Sequence, residues 1–400
     1  MHTGLAPVRD LVGVAAHRAA IGVGREVGQT LGLDEAVRHV DAEAVDPAVE
    51  PEAQDVAELR AHLVVGPVEV GLALVEDVQV PLAGGAVGLR DAGPGGPVED
   101  RGPVVRGQLA LLAAYDGDRA LCAEAWLPTV AETALWVRPD EMHQAFNFHY
   151  LETAWDAPAL RAVITDSLDE YGAVGAPSTW VLSNHDVVRH ASRLALTAEN
   201  PQGAGIGPKT PGKPDPVKGL HRARAATTLM LALPGSSYLY QGEELGLPEV
   251  IDLPDDARQD PTWFRTNGER YGRDGCRVPI PWTADGPAYG FNDTGESWLP
   301  QPTEWADLAR DVQVDDPSST LTLYRSLLAE RRARNLGAGE LEWLGGFVDD
   351  VVAFRNGSLL VVANLGDAAV ELPAGEVLIA SGPLDGDTLP TDTTVWIAAA

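Results

Sequence analysis

Ser178-Thr179-Trp180-Val181-Leu182-Ser183-Asn184-His185-Asp186 is the stretch whose reading decides the fold. Thr179 to Leu182 is β-branched and aromatic enough for a buried parallel strand, and Ser-Asn-His-Asp follows where that strand must end. An imidazole and a carboxylate at the C-terminal tip of a strand stand where α/β barrels gather their chemistry. On its own the Asn-His-Asp could instead cap a following helix. A second stretch favours the first reading. Arg119-Ala120-Leu121-Cys122-Ala123-Glu124-Ala125-Trp126 is another short apolar strand with a carboxyl where it runs out, beside a Trp.

The two carboxyls, Glu124 and Asp186, are about 60 residues apart, the length of roughly two βα units. A pair facing one sugar ring at ~5 Å is what retaining glycoside cleavage requires. The blocks Ala-Glu-Ala-Trp and Leu-Ser-Asn-His-Asp resemble two short blocks of the α-amylase/α-glucosidase superfamily, most closely its α-glucosidase and oligo-1,6-glucosidase branch. The likeness continues through Gln241-Gly242-Glu243-Glu244-Leu245-Gly246 and Arg273-Asp274-Gly275-Cys276-Arg277-Val278-Pro279-Ile280-Pro281-Trp282, and covers about residues 109–400. The resemblance implies hydrolysis of α-glucosides in maltose- or isomaltose-type oligosaccharides, with Glu124 as general acid/base and Asp186 as the carboxylate that stabilises the transition state. His185 and Arg277 would bind substrate. Glu124's role calls for a carboxyl that keeps its proton, and Trp126 and the apolar strand would supply the desolvation. The plainer readings are a surface Glu at a strand end, a structural His185, and loop packing for Arg277 and Trp282. Glu243 and Glu244 read as stabilisers of a loop. No cofactor is implied, and the sequence shows no metal-ligand spacing and no internal repeat.

A formal charge of -30 argues against nucleic acid or an anionic membrane as partner, since both attract basic surface. The 2 Cys, Cys122 and Cys276, are too few for a disulfide framework and suit a reducing cytosol. Neither a basic-then-apolar leader nor an uncharged run of membrane length is read, so a cytoplasmic protein is expected.

Downstream of Leu109 the pattern is that of successive βα units. Val130–Val137 is expected to be helical, His143–Phe148 a strand, Ala157–Tyr171 a helix, and Leu220–Leu233 a helix leading into a strand over Ser236–Gln241. Residues 200–215 read as a loop, and 248–313, heavy with Trp, Pro and Gly, as an irregular substrate-side insertion. Leu321–Asn335 is a basic-ended helix stopped by Gly337. Short alternating runs from Leu341 to Trp396, punctuated by Asn-Gly, Gly-Asp and Pro-Ala-Gly, predict a small antiparallel β-domain. The expected fold is therefore α/β: the C-terminal half of a (β/α)8 TIM barrel over 108–338, followed by a β-sandwich-type domain over 339–400.

The first quarter departs from all of this. Residues 1–114 contain no Phe, Trp, Tyr, Ser, Asn, Lys or Cys, so the chain's 10 Trp, 8 Tyr and 6 Phe all lie beyond them. Apart from Met1, Thr3, Ile21 and Thr30, the segment uses only residues whose codons can begin with C or G. Selection for folding has no reason to follow the first letter of a codon, whereas a wrong-strand reading of a GC-rich gene does. Read backwards as reverse-complement codons, Pro47 to Ala36 can spell Gly-Val-Asp-Gly-Phe-Arg-Ile-Asp-Val-Ala-His-Gly, which resembles the superfamily's nucleophile block. Val105 to Glu99, Ala83 to Val78 and Leu72 to Pro67 yield further family-like strings in the order these genes use. Residues 1–107 thus read as an antisense-like segment without a recognisable fold, although stretches such as Val56–Val65 have helical composition. The nucleophilic Asp and its Arg would then lie opposite Val40 and Ala42, and no nucleophile is present in the sense reading. The Asp-x-x-x-Asn-His block of the superfamily's third strand is also missing. Two functional classes follow: a glucosidase by lineage, or an inactive remnant of a rearranged or mis-assembled gene. The superfamily's membrane-anchored ancillary subunits, which lack activity, fit poorly because no anchor is read.

Overall fold

The computed structural model describes Leu112 and residues 119–197, 199–200 and 205–399. The expectations for residues 1–107, including the helical composition near Val56–Val65, lie outside the described residues. Two compact units divide the rest: Asn147–Ala173 with Pro177–Ala400 in one, and the described residues up to Phe146 with Val174–Ala176 in the other.

The second of these units is a strand–helix–strand segment. Strand β1 (Cys122–Ala123) pairs in parallel with β2 (Gln144–Ala145). Between them runs α1 (Val130–Ala134), continued by a 3-10 turn over Leu135–Val137. Its start is fixed by a capping box: the Thr129 hydroxyl accepts from the Glu132 N–H, and the Glu132 carboxylate accepts from the Thr129 N–H.

In the larger unit, α2 (Phe148–Glu152) begins where the sequence pattern had suggested a continuing strand. Asn147 is the reason. Its Oδ1 accepts from the Tyr150 N–H at 3.0 Å, and its Nδ2 donates to Ser167 Oγ at 2.7 Å, so the chain turns into a capped helix. Helix α3 (Ala157–Ala173) follows, then β3 (Thr179–Val181), whose residues are all buried. A short α4 (His190–Arg193) and a long α5 (Pro216–Leu231) lead to β4 (Ser236–Tyr238), which pairs in parallel with β3. Helix α5 starts four residues before the apolar periodicity does, because Asp215 caps it and Pro216 occupies its first position. Strand β4 stops three residues short of Gln241, and the chain then turns at Gly242, whose φ of +87° favours glycine. The insertion holds 3-10 turns with α6 (Pro261–Arg265) and α7 (Arg310–Gln313), before α8 (Thr320–Ala333).

The C-terminal sheet has strands β5 (Leu341–Trp343), β6 (Val351–Asn356), β7 (Leu359–Asn364), β9 (Glu376–Ala380) and β11 (Thr393–Ala398), in the order β5-β6-β7-β11-β9, all antiparallel. A two-stranded ribbon, β8 (Val370–Glu371) with β10 (Thr388–Leu389), accompanies it. Period-two alternation sends successive residues to opposite faces. Val352, Phe354, Leu359, Val361 and Trp396 join the core formed by α3, α5 and α8, including Ile164, Leu229 and Leu327. Val351, Ala353, Leu360, Val362, Val395 and Ile397 pack with Leu389 and Val370 of the ribbon. Both faces of the central strands β6, β7 and β11 are therefore covered, and these strands read as near-continuous apolar runs.

Candidate active site

Strand β3 is rooted by its own residues. Trp180 is fully buried, donates its indole N–H to the Pro234 carbonyl at 2.6 Å, and meets Tyr150 edge-on with centroids 5.1 Å apart. The chain then leaves the strand through Ser183 and Asn184. Asn184 Oδ1 accepts from the Asp186 N–H at 2.8 Å, a local turn that presents His185 and Asp186 together.

Asp186 is the centre of an ion-pair cluster. Its Oδ1 accepts from Arg273 Nη1 at 2.7 Å and from Arg277 Nη2 at 2.8 Å, and lies 3.5 Å from His185 Nε2. Burial alone would push the Asp186 carboxyl up, but His185, Arg273 and Arg277 together hold it below the usual aspartate range. Arg277 also donates from Nε to the His185 carbonyl at 2.8 Å, so one guanidinium fixes both the backbone and the carboxylate of this turn. Arg273 in turn donates from Nε to Asp260 Oδ2 at 2.7 Å. Asp260 caps α6 by accepting from Thr262 N–H, and its acidity is enhanced as Arg273 overcomes the effect of burial. Asp186, His185 and Arg277, singled out in the sequence, are thus brought together. Arg273 and Asp260 were not singled out, although Arg273 opens the block that contains Arg277.

Behind the cluster lies Arg189, only 1% exposed. Its Nη1 donates to the Gln241 carbonyl at 2.7 Å, its Nη2 to the Cys276 carbonyl at 2.8 Å, and its backbone N–H to Glu249 Oε2 at 2.9 Å. Burial raises Glu249 to about 7 against the pull of the Arg189 N–H and charge. One side chain close in sequence to Asp186 therefore holds the Asp274–Cys276 turn, from which Arg273 and Arg277 reach back. A cation directly after an apolar Val187-Val188 pair was the available signal in the sequence.

A second buried set begins at Ser183. Its Oγ pairs with His190 Nδ1 at 2.8 Å, and His190 lies 3.9 Å from Glu243 Oε2. Tyr324 OH reaches Glu243 Oε1 at 3.4 Å and Thr227 Oγ1 at 2.7 Å. Burial, reinforced by Arg193 and Arg189, lowers His190 to about 3, so the imidazole is neutral. Burial also lifts Glu243 well above the usual carboxylate range. Glu244 instead accepts from the Gly242 N–H at 2.8 Å, holding the turn after β4. Trp282 packs with the Leu245–Trp305 cluster and donates its backbone N–H to Tyr289. Glu124 belongs to the other unit, where it directly follows β1 and is 4% exposed. The strand ahead of it is fixed by the Phe146 N–H donating to the Ala123 carbonyl at 3.0 Å.

A carboxylate clamped by two guanidiniums, with an imidazole at its side, can accept hydroxyl hydrogen bonds and sustain negative charge beside a developing cation. Among the described residues no helix is long and apolar enough to cross a membrane. Comparison with known proteins adds lineage. The family described as "Alpha amylase, catalytic domain" matches residues 105–339, and "Domain of unknown function (DUF3459)" matches 334–396. A probable alpha-glucosidase of Rhizobium meliloti is 31% identical over 240 residues, which is 58% of this chain and 40% of that protein. Maltase A1 of Drosophila melanogaster is 28% identical over 244 residues, 58% of this chain and 37% of its own length. This chain thus spans well under two thirds of either relative. The crystal structure of an alpha-glucosyl transfer enzyme, XgtA, aligns with a TM-score of 0.59 at 28% identity, over 74% of this chain and 54% of that one.

Proposed function

This chain belongs to the alpha-amylase family of catalytic domains, and on that premise we propose that its site is built for retaining hydrolysis of α-glucosidic bonds in short oligosaccharides of the maltose or isomaltose type. The fold is the C-terminal half of a (β/α)8 barrel with an antiparallel β-domain after it. In this reading Glu124 protonates the glycosidic oxygen and later activates water, Asp186 stabilises the oxocarbenium-like transition state, and His185 and Arg277 bind the sugar. The observation that carries it is Asp186, held ionised at a strand tip by Arg273 and Arg277 with His185 beside it. The names of the relatives, an alpha-glucosidase and a maltase, support the substrate class. A cytoplasmic location suits the two free cysteines.

A second reading concerns this chain's own competence. The family match begins at residue 105, close to where the antisense-like composition ends. The retaining reaction needs a carboxylate to form the glycosyl-enzyme bond on the face opposite the acid. The sense reading of these 400 residues supplies no block for it. We therefore expect the chain as written to release p-nitrophenol from its α-glucoside several orders of magnitude more slowly than the product of a gene in which the first coding segment is re-inverted. Comparable turnover by the two would overturn the inversion reading and the assignment of the nucleophile with it.

A further inference from the structure

Of the chain's 10 Trp, all within the described residues, Trp298 alone is exposed, at 46%. Its position is held from several sides. The indole N–H donates to the Arg277 carbonyl at 3.1 Å, and Arg277 is the residue whose guanidinium reaches Asp186. Phe291 meets the ring edge-on, with centroids 5.0 Å apart and planes at 85°. The Trp298 carbonyl accepts from the Gln259 amide, and the next residue, Leu299, is buried in the cluster that contains Val278 and Ile280. Trp298 is thus tied to Arg277 and Phe291 through its ring and to Gln259 through its backbone. Because the polar edge of the indole is already engaged, the surface it leaves open is ring carbon.

An immobilised, open aromatic surface beside a polar sugar-type site has an evident chemical complement. A pyranose ring carries hydroxyls around its rim and an apolar C–H face, so its hydroxyls suit carboxylates and guanidiniums while its face suits indole. The surroundings fit a sugar better than a protein partner. Asp293, Thr294, Gly295 and Glu296 beside Trp298 are exposed and polar, and leave no broad apolar patch. The ring's fixed orientation also lowers the entropic cost of binding.

We propose that Trp298 is the stacking platform for the second pyranose ring of an oligosaccharide whose terminal ring occupies the Asp186–His185–Arg277 site, and so sets the preference for disaccharide over monosaccharide. The inference rests on the α-glucoside reading of that site. The test is calorimetric titration of the full chain and of its Trp298→Ala and Trp298→Phe variants with glucose, maltose and isomaltose. The wild type should bind one or both disaccharides more tightly than glucose, with a blue shift of tryptophan emission that glucose does not produce. Trp298→Ala should reduce the disaccharide advantage by about tenfold and leave the glucose constant in place, while Trp298→Phe retains part of the advantage. An unchanged disaccharide-to-glucose ratio in Trp298→Ala overturns the proposal. So does an equal loss for all three sugars, which would mean that the ring only packs against Arg277. A folded wild type that binds none of the three overturns the α-glucoside reading and this inference together. Glucose binding that persists in the wild type but is lost in Asp186→Asn upholds the site, whatever the fate of Trp298.

Discussion

At the scale of single residues, the cluster is organised by two arginines that meet on one carboxylate. Arg273 serves both Asp186 and Asp260, so Arg273→Met should raise the apparent pKa of each, measurable by carboxyl NMR titration. An aspartate whose folded pKa is depressed stabilises above its unfolded pKa and loses that contribution as pH falls through the folded value. The stability gap between wild type and Arg273→Met should be widest near neutrality, about 1–3 kcal/mol for a partly exposed pair. It should close as pH falls below the ordinary aspartate value of 3.8. Glu243 gives the opposite slope. Its raised pKa adds stability fully present below its ordinary value of 4.5 and lost as pH rises through the raised one. Glu243→Gln cannot ionise and should flatten that decline in thermal midpoint, while keeping a partner for Tyr324. Unchanged pH dependence in this variant would mean that Glu243 is ionised in the folded protein. Asp186 and His185 were legible because a strand runs ahead of them, and Arg277 because it sits in a block with a family resemblance. Arg273 was not, since nothing in a linear sequence says which of several arginines a distant turn will bring back to one aspartate, and Arg189 was marked only by the apolar Val187-Val188 pair ahead of it.

At the scale of elements, the βα alternation was legible from apolar runs and turn residues, and the differences arise at ends. Asn147 and Asp215 moved two boundaries because a side-chain cap outweighs the propensity of the residues it precedes. The expected sandwich-type antiparallel domain is a five-stranded sheet with a two-stranded ribbon on one face and helices on the other. Alternation alone could not say which element covers which face, since an apolar residue points into a core whatever lies across it. Trp396 is the clearest case. It is fully buried against the helices, and its indole N–H donates to the Thr228 carbonyl in α5 at 2.8 Å. Trp396→Ala should cost about 3–5 kcal/mol in urea unfolding, and Trp396→Phe less, with loss of the hydrogen bond remaining. A destabilisation below about 1 kcal/mol for the alanine variant, close to the scale of a surface change, would show that the sheet does not share the helical core.

At the scale of the whole molecule, residues 1–107 carry no aromatic side chain with which to specify a core. A chain beginning near residue 108 should therefore melt at the same temperature as the full one, by differential scanning calorimetry. A lower midpoint for the shorter chain would show that the first segment contributes to the fold. The C-terminal end is bonded into the helical core. The two family matches meet at residues 334–339, yet Thr394 and Trp396 bond to carbonyls of α5 and Asn356 donates to the Ala232 carbonyl. A seam recognisable in sequence here runs through one continuous interior. The C-terminal sheet is consequently not a cassette: grafting it from a relative would require its helix-facing residues to be exchanged along with those of α3, α5 and α8, and a rearrangement of the gene that broke the chain near residue 339 would leave neither product with a finished surface.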